Sequence, residues 1–445
     1  MAIRILSLDE ARSTILKRRP LGEAPLPANV RAGIRRVFGA DLSADQVVDE
    51  IIKRVQESGD RALMDLTQQI DGIQMAGVEV SKDAITAAYA EVDSRVIDAL
   101  QLAAKRIREF HLKSIPRSWM DLSSEGALGQ LIRPLDRVGL YSPGGTADYP
   151  STILMQALPA RAAGVREIVV ASPPRKNGMP SPLTLVACDI AGVDRVFSVG
   201  GAQAIAALAY GTDTIPRVDK ILGPGNIFVA LAKRKVFGVV GIDQLAGPTE
   251  TVIVADENAR PDFVAADMLA QAEHDPMASA ILITDSKLLA ERVRDEISTQ
   301  MARISRSSIA ADSLRANGGV VLVGSVNEAI EVGNEYAPEH LCLLVSDGLS
   351  HLGKVRNAGG VFVGEYSPEV IGDYVAGPSH VMPTGGTARF SSPVNVLDFL
   401  KVTSVVALDR ETTLAIGPAA AVIADAEGLT AHAEAMRSRI QGEKR

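Results

Sequence analysis

Through the first part of the chain, to about residue 120, apolar positions recur three and four residues apart. The runs "VVDEIIKRVQESGDRALMDLTQQI" and "AITAAYAEVDSRVIDALQLAAKRIREF" keep this spacing, the period of helices with one buried face. Ser7–Glu10 ("SLDE") and Ser43–Gln46 ("SADQ") carry the capping-box pattern that opens such helices. From about residue 133 the rhythm changes. Short, wholly apolar runs ("RVGLYS", "EIVVAS", "RVFSVG", "DKILGP") alternate with helical ones ("STILMQALPARAAGV", "PLTLVACDIAG", "AQAIAALAYG"). Strands apolar on both faces, each followed by a helix, predict a parallel sheet covered on both sides.

A second series follows "GIDQLAGPTE". It runs from "TVIVAD" through a helix over 261–274, "ASAILITD", the long helix "SKLLAERVRDEISTQMARI", "GGVVLVGS", "VNEAIEVGNEYA", "LCLLVSD" and "GLSHLGKVRNAG" to "GVFVG". The expected architecture is α/β, with two doubly wound parallel-sheet domains. A helical N-terminal region (1–132) precedes a first α/β unit (133–243) and a second (244–392), and a mostly helical tail (393–445) closes the chain.

Composition narrows this reading. The chain has 445 residues, which favours two or three domains over one core. Hydrophobic residues make up 47% and aromatics only 4%, so Ala, Val, Leu and Ile must build the interior, as in helices packed on parallel strands. The net charge of −8, without a basic stripe, argues against nucleic acid. No apolar run approaches the ~20 residues that cross a bilayer. The N-terminus has no apolar signal core, so a soluble cytoplasmic protein is expected. Cys188 and Cys342 lie in apolar runs and read as small buried hydrophobes.

Ligands of open α/β sheets sit beyond the carboxyl ends of the strands. There the first unit offers "GLYSPGGTADYP", "SVGGAQAIAA" and "ILGPGNIF", with Tyr141, Gln203 and Asn226 beside glycines. Glycine allows close backbone approach, and helix N-termini attract anions, but the dinucleotide fingerprint GxGxxG is absent, and ordinary tight turns would read the same way. The second unit holds more. Gln271 and His274, three apart, share a helix face. Glu339 and His340 follow a proline just before a strand, Asp373 and His380 lie in a Gly/Pro-rich loop, and Glu427 and His432 lie in the tail. His111 and His351 sit among charged or apolar helical neighbours and read as structural. A His, Asp and Gln set without Cys suits a metal such as zinc, but the wide separations form no compact metal motif. Helix C-terminal capping by Gln271 and His274, a surface pair at Glu339–His340 and a solvated His432 stand as alternatives.

Taken in order, "GLYSPGGTADYPSTILMQALPARAAGV", "VGGAQAIAALAYGT", "VDKILGPGN", "AGPTE", "AADMLAQAEHD", "YAPEHL", "GDYVAGPSHVMPTGGTARFSSP" and "LTAH" resemble the histidinol dehydrogenase family over almost the whole chain. The resemblance implies oxidation of L-histidinol through L-histidinal to L-histidine with two NAD⁺ and a zinc ion. It implies two incomplete Rossmann-like domains and an intertwined homodimer with shared active sites. It places zinc ligands on Gln271, His274, Asp373 and His432, the last reaching the site from the partner subunit. Catalysis falls on Glu339 and His340, and NAD contacts on Tyr141, Gln203 and Asn226. Substrate contacts fall on Thr249, Gln271, His274, His340, Asp373, Glu427 and His432, with His380 nearby. Thr249 stands where many relatives have Ser, Asp275 where Gly is frequent and Ser379 where Asn is common; the first keeps its hydroxyl. A same-fold dehydrogenase of another small polar alcohol, such as a sulfonated diol, is the near alternative. A zinc hydrolase using Glu339 and a non-catalytic metal-binding module are more distant ones.

Overall fold

The computed structural model describes residues 3–18, 26–144 and 148–442. The chain divides into two compact units, Met1–Ser114 with Leu135–Phe399, and Ile115–Pro134 with Leu400–Arg445.

The first unit contains two wholly parallel sheets. One has the strand order Arg195–Ser198, Glu167–Ser172, Arg137–Tyr141, Lys220–Leu222, Gly241–Ile242. The chain winds outward from Arg137–Tyr141, then crosses back to Lys220–Leu222. Right-handed crossovers therefore put helices Pro150–Ala163 and Pro182–Ala191 on one face, and Gly201–Tyr210 and Ile227–Val236 on the other. Helix Ala44–Asp71 packs on the second face.

The other sheet has the order Ile5–Ser7, Gly319–Leu322, Ser279–Thr284, Glu250–Ala255, His340–Leu344, Gly360–Val363. Its strands are apolar on both faces because both faces are covered. Ile253, Ala255, Leu282 and Cys342 enter the core beneath helices Pro261–Ala272 and Lys287–Met301. Their alternates Val252, Val254, Ile283 and Leu343 enter a second core with Ile330 and Val332 of helix Val326–Tyr336. Both cysteines are buried and free.

Both capping boxes form, with the Ser7–Glu10 and Ser43–Gln46 side chains bonding each other's backbone reciprocally. Three stretches depart from the expected rhythm. Ile5–Ser7, in the region read as helical, is an edge strand paired with Val320–Leu322. Trp119–Ser123 and Gly126–Pro134, read within the same helical region, are strands. With Leu400–Leu408, from the tail read as mostly helical, they form an antiparallel sheet in the second unit. The physical reasons are two. Strand Trp119–Ser123 is exposed at every position and Leu400–Leu408 at most, so burial imposes no alternation, and Ile5–Ser7 depends on a partner more than 300 residues away. The tail is helical elsewhere, in Arg410–Ala426 and Thr430–Gln441.

Candidate active site

In the second sheet the functional side chains gather at the amino edge of the strands, the edge opposite to the one the general rule favours. Helices run back against parallel strands, so helices Pro261–Ala272 and Val326–Tyr336 both end there. Helix C-termini carry partial negative charge and favour cations. Gln271 lies in the last turn of the first helix, and His274 follows two residues beyond its end, where the backbone tightens so that His274 N–H donates to Gln271 O at 3.4 Å. After the second helix, Ala337 takes a left-handed conformation (φ 52°), the only non-glycine with positive φ among the described residues. Pro338 follows, and the turn delivers Glu339 and His340 to the first position of a central strand.

Adjacent residues on an extended strand point apart, but this bend aims Glu339 and His340 at one place, with Glu339 Oε2 3.8 Å from His340 Nδ1. Gln271 Nε2 donates to Thr249 Oγ1 at 2.9 Å, and Thr249 Oγ1 donates to Glu339 Oε2 at 2.5 Å. The Glu250 amide donates to the same carboxylate oxygen at 3.1 Å. His340 Nδ1 lies 3.3 Å from the Glu250 carbonyl, which only accepts, so Nδ1 carries a proton. Nε2 therefore faces the Asp373 carboxylate, 3.5 Å away.

His380 orients Asp373 from behind. Its Nδ1 donates to the Asp373 carbonyl at 2.7 Å, and its Nε2 accepts from Thr152 Oγ1 at 3.1 Å. Thr152 lies in the first turn of helix Pro150–Ala163, which starts at the carboxyl edge of the first sheet. Ser379 Oγ bonds Met155 O in the same helix at 3.0 Å. The amino edge of the second sheet thus meets the carboxyl edge of the first.

The electrostatics follow from burial. Burial lifts Glu339 to about 7, against the pull of His340, Thr249 and Glu250. Burial alone would lower His340, but Glu339, Glu369 and Asp373 outweigh it and raise the imidazole to about 10. Asp373 feels the same burial, yet the contact with His340 and its charge keep the carboxyl below the usual range. His274 faces outward, but enough protein packs round its ring to lower its pKa, against the attraction of Asp373.

Tyr141, Gln203 and Asn226 line a single cavity of about 300 Å³ at the carboxyl edge of the first sheet. Tyr141, at the strand end where the winding reverses, accepts from the Gly201 amide at 3.0 Å. Burial raises its hydroxyl to about 12. Asn226 Oδ1 caps helix Ile227–Val236 through the Phe228 and Val229 amides, leaving its NH₂ group to donate elsewhere. The glycines here are required. A Cβ on Gly223 (φ 122°) would lie 2.1 Å from the Tyr141 carbonyl, and one on Gly200 would lie 2.5 Å from Pro173. Residues 145–147 of the first glycine-rich turn lie outside the described residues.

A profile of the histidinol dehydrogenase family matches residues 36–440. A protein of that name from Deinococcus radiodurans is 51% identical over 441 residues, covering 99% of this chain and all of its own length. One from Dehalococcoides mccartyi is 50% identical over 428 residues, 96% of this chain and 97% of its own. The crystal structure of histidinol dehydrogenase from Elizabethkingia anophelis superposes with a TM-score of 0.90 at 32% identity, covering 99% of this chain and 98% of that one. The chain belongs to the histidinol dehydrogenase family.

Family membership does not by itself assign residues, and the geometry adds some that the sequence reading passed over. Glu369, 3% exposed, accepts from Thr251 Oγ1 at 2.6 Å and lies 3.6 Å from His340 Nδ1. Burial raises its carboxyl to about 7. It stands four residues before Asp373 in helix Glu369–Tyr374, a spacing that could have revealed it. Glu250, buried at the head of an apolar strand, ion-pairs with Arg18. Of the tail residues, Glu427 caps the end of helix Arg410–Ala426 and His432 lies in helix Thr430–Gln441, both exposed and both in the second unit.

A cation suits the cluster on its donor chemistry. His340 Nε2, Asp373 Oδ1 and Glu369 Oε1 are buried without a hydrogen-bond partner among the described residues. The two carboxylate oxygens are acceptors awaiting a positive or proton-bearing group, and Nε2 joins them once its proton is removed. Yet among the described residues no three His, Cys, Asp or Glu side chains form a metal-holding group by themselves. Gln271, His274 and Asp373 provide a mixed and incomplete set.

Proposed function

We propose that this chain oxidises L-histidinol through L-histidinal to L-histidine, with two NAD⁺ used in turn, and that it does so with zinc as a symmetric pair of chains. The observation that carries this reading is the buried Glu339–His340 pair facing Asp373, opposite a nucleotide-sized cavity lined by Tyr141, Gln203 and Asn226. Gln271, His274 and Asp373 would hold the metal, and His432 from a second copy would complete the set. Support for that arrangement comes from the exposed apolar surface of the second unit, where Leu122, Val406, Val422 and Ile423 are each at least 60% exposed.

The nicotinamide supplies the hydride acceptor, and zinc supplies a template for the amino and imidazole nitrogens of the substrate. In the first oxidation His340 Nε2 accepts the hydroxyl proton as hydride leaves the carbinol carbon. Within the chain the surrounding acids hold a proton on His340; a cation held by Asp373 would offset that carboxylate's charge and lower the proton affinity of Nε2. Water then adds to the aldehyde. Glu339, raised to about 7, accepts a proton from that water, and Thr249 and the Glu250 amide fix its orientation. His340 returns its first proton to the carbonyl oxygen as the hydrate forms, and so is free to take the hydrate proton as the second hydride departs. Glu427 would bond the far imidazole N–H of the substrate, and Thr249 would lie against it.

The test is stoichiometric. Purified protein given L-histidinol and NAD⁺ should form two NADH per substrate. Glu339→Gln should slow oxidation of L-histidinal on the order of 10²-fold while His340→Asn slows the first oxidation. Histidinal turnover at the wild-type rate in Glu339→Gln would remove the water-activating role.

A further inference from the structure

The cavity beside Tyr141 contains an acid that the chemistry above does not use. Asp71 is the last residue of helix Ala44–Asp71, where a carboxylate opposes the negative end of the helix dipole. It is exposed at the cavity's edge and makes no hydrogen bond or ion pair with a described residue, and the protein packed round it raises its carboxyl above the usual range. Its charge reaches the Tyr141 hydroxyl. A carboxylate at the negative end of a helix, on the wall of the cavity and open to solvent, is an acceptor within reach of a ligand that donates hydrogen bonds.

The topology says which part of a ligand lies there. Asp71 and the cavity belong to the face covered by helices Gly201–Tyr210 and Ile227–Val236. Thr152 and His380, which lead to His340, lie on the face of helix Pro150–Ala163. A dinucleotide laid over the carboxyl edge of the sheet, with its nicotinamide toward His340, leaves its adenosine half in the cavity. A volume of about 300 Å³ suits one half of such a ligand. Resting on the reading of the chain as an NAD-linked dehydrogenase, we infer that Asp71 accepts hydrogen bonds from the hydroxyls of the adenosine ribose and thereby excludes a 2′-phosphate. Arg36 is the other charged residue among those lining the cavity. With Asp71 neutral, Arg36 is left to attract that phosphate.

The experiment compares NAD⁺ with NADP⁺ on the full chain, by steady-state oxidation of L-histidinol and by equilibrium binding of each nucleotide. Wild type should favour NAD⁺, and Asp71→Asn should lower the NAD⁺-to-NADP⁺ ratio of kcat/KM roughly 10- to 100-fold. Asp71→Ser should shift it the same way, so the result does not hang on one variant's folding. Wild type that uses both nucleotides equally, or variants that keep the wild-type ratio, would overturn the inference while leaving the dehydrogenase reading intact. Wild type that neither binds nor reduces NAD⁺ would overturn both.

Discussion

Histidine 111 shows how far one residue's environment can depart from its local sequence. Half of its neighbours in "RIREFHLKS" are charged, yet the ring is 1% exposed, edge-on to Phe110, and neither nitrogen has a partner among the described residues. Burial lowers its pKa to about 4. The folded-state value lies below that of the unfolded chain, so the unfolded chain binds more protons between the two, and stability is lost as pH falls through that window. From about pH 7 to about pH 5 this one group should cost about 2 kcal/mol. In His111→Leu, chemical denaturation at the two pH values should show that part of the slope missing. An equal slope in wild type and variant would mean that His111 is hydrated in the folded protein. At the active site the same burial works to a purpose, since it brings Glu339 close to neutrality, where a carboxylate can both take and release a proton.

Among the elements, the turn between helix Val326–Tyr336 and strand His340–Leu344 decides the chemistry. Its left-handed alanine is an uncommon conformation outside glycine, and the surroundings hold it in place. The Arg18 side chain lies 3.6 Å over the Tyr336 ring and donates to the Tyr336 and Ala337 carbonyls, at 3.2 Å to the latter. The same guanidinium pairs with Glu250, whose carboxylate also accepts from the Gly385 amide at 3.2 Å. Arg18→Met should leave Glu250 buried and unpaired and destabilise the fold by about 2–3 kcal/mol, read from the denaturant midpoint. It should also slow turnover while leaving the affinity for NAD⁺ unchanged, because the cavity near Tyr141 is built from other elements. Unchanged turnover would show that the turn holds its shape without the N-terminal segment.

At the scale of the molecule, two edges with opposite preferences are brought together. The carboxyl edge of the first sheet presents helix N-termini and glycine-rich turns, which suit a pyrophosphate, while the amino edge of the second presents helix C-termini and acids, which suit a cation. If His432 completes the site of a second copy, His340→Asn and His432→Ala should each turn over far more slowly than wild type alone and should complement each other when mixed. Random re-pairing gives half the dimers one intact site, so refolded mixtures should regain about a quarter of wild-type activity. No recovery, with dimers shown to exchange, would place all the ligands within one chain.

What the sequence determined by itself is whatever depends on neighbours in the chain. The helical period, the two capping boxes, the apolar strands of both parallel sheets and the glycine-rich turns were all legible, because each is set by contacts within a few residues or by burial on both faces. Ordered motifs also marked the family. Only the tertiary structure decided that the functional edge of the second sheet is the amino edge, that Glu369 joins Glu339 beside His340, and that Asp71 reaches the cavity of Tyr141. It also decided the strands at Ile5–Ser7, Trp119–Ser123 and Leu400–Leu408. The reason is the same in each case. Those outcomes rest on contacts between residues far apart in the chain, and on the removal of water that follows, which no local pattern of polar and apolar positions records.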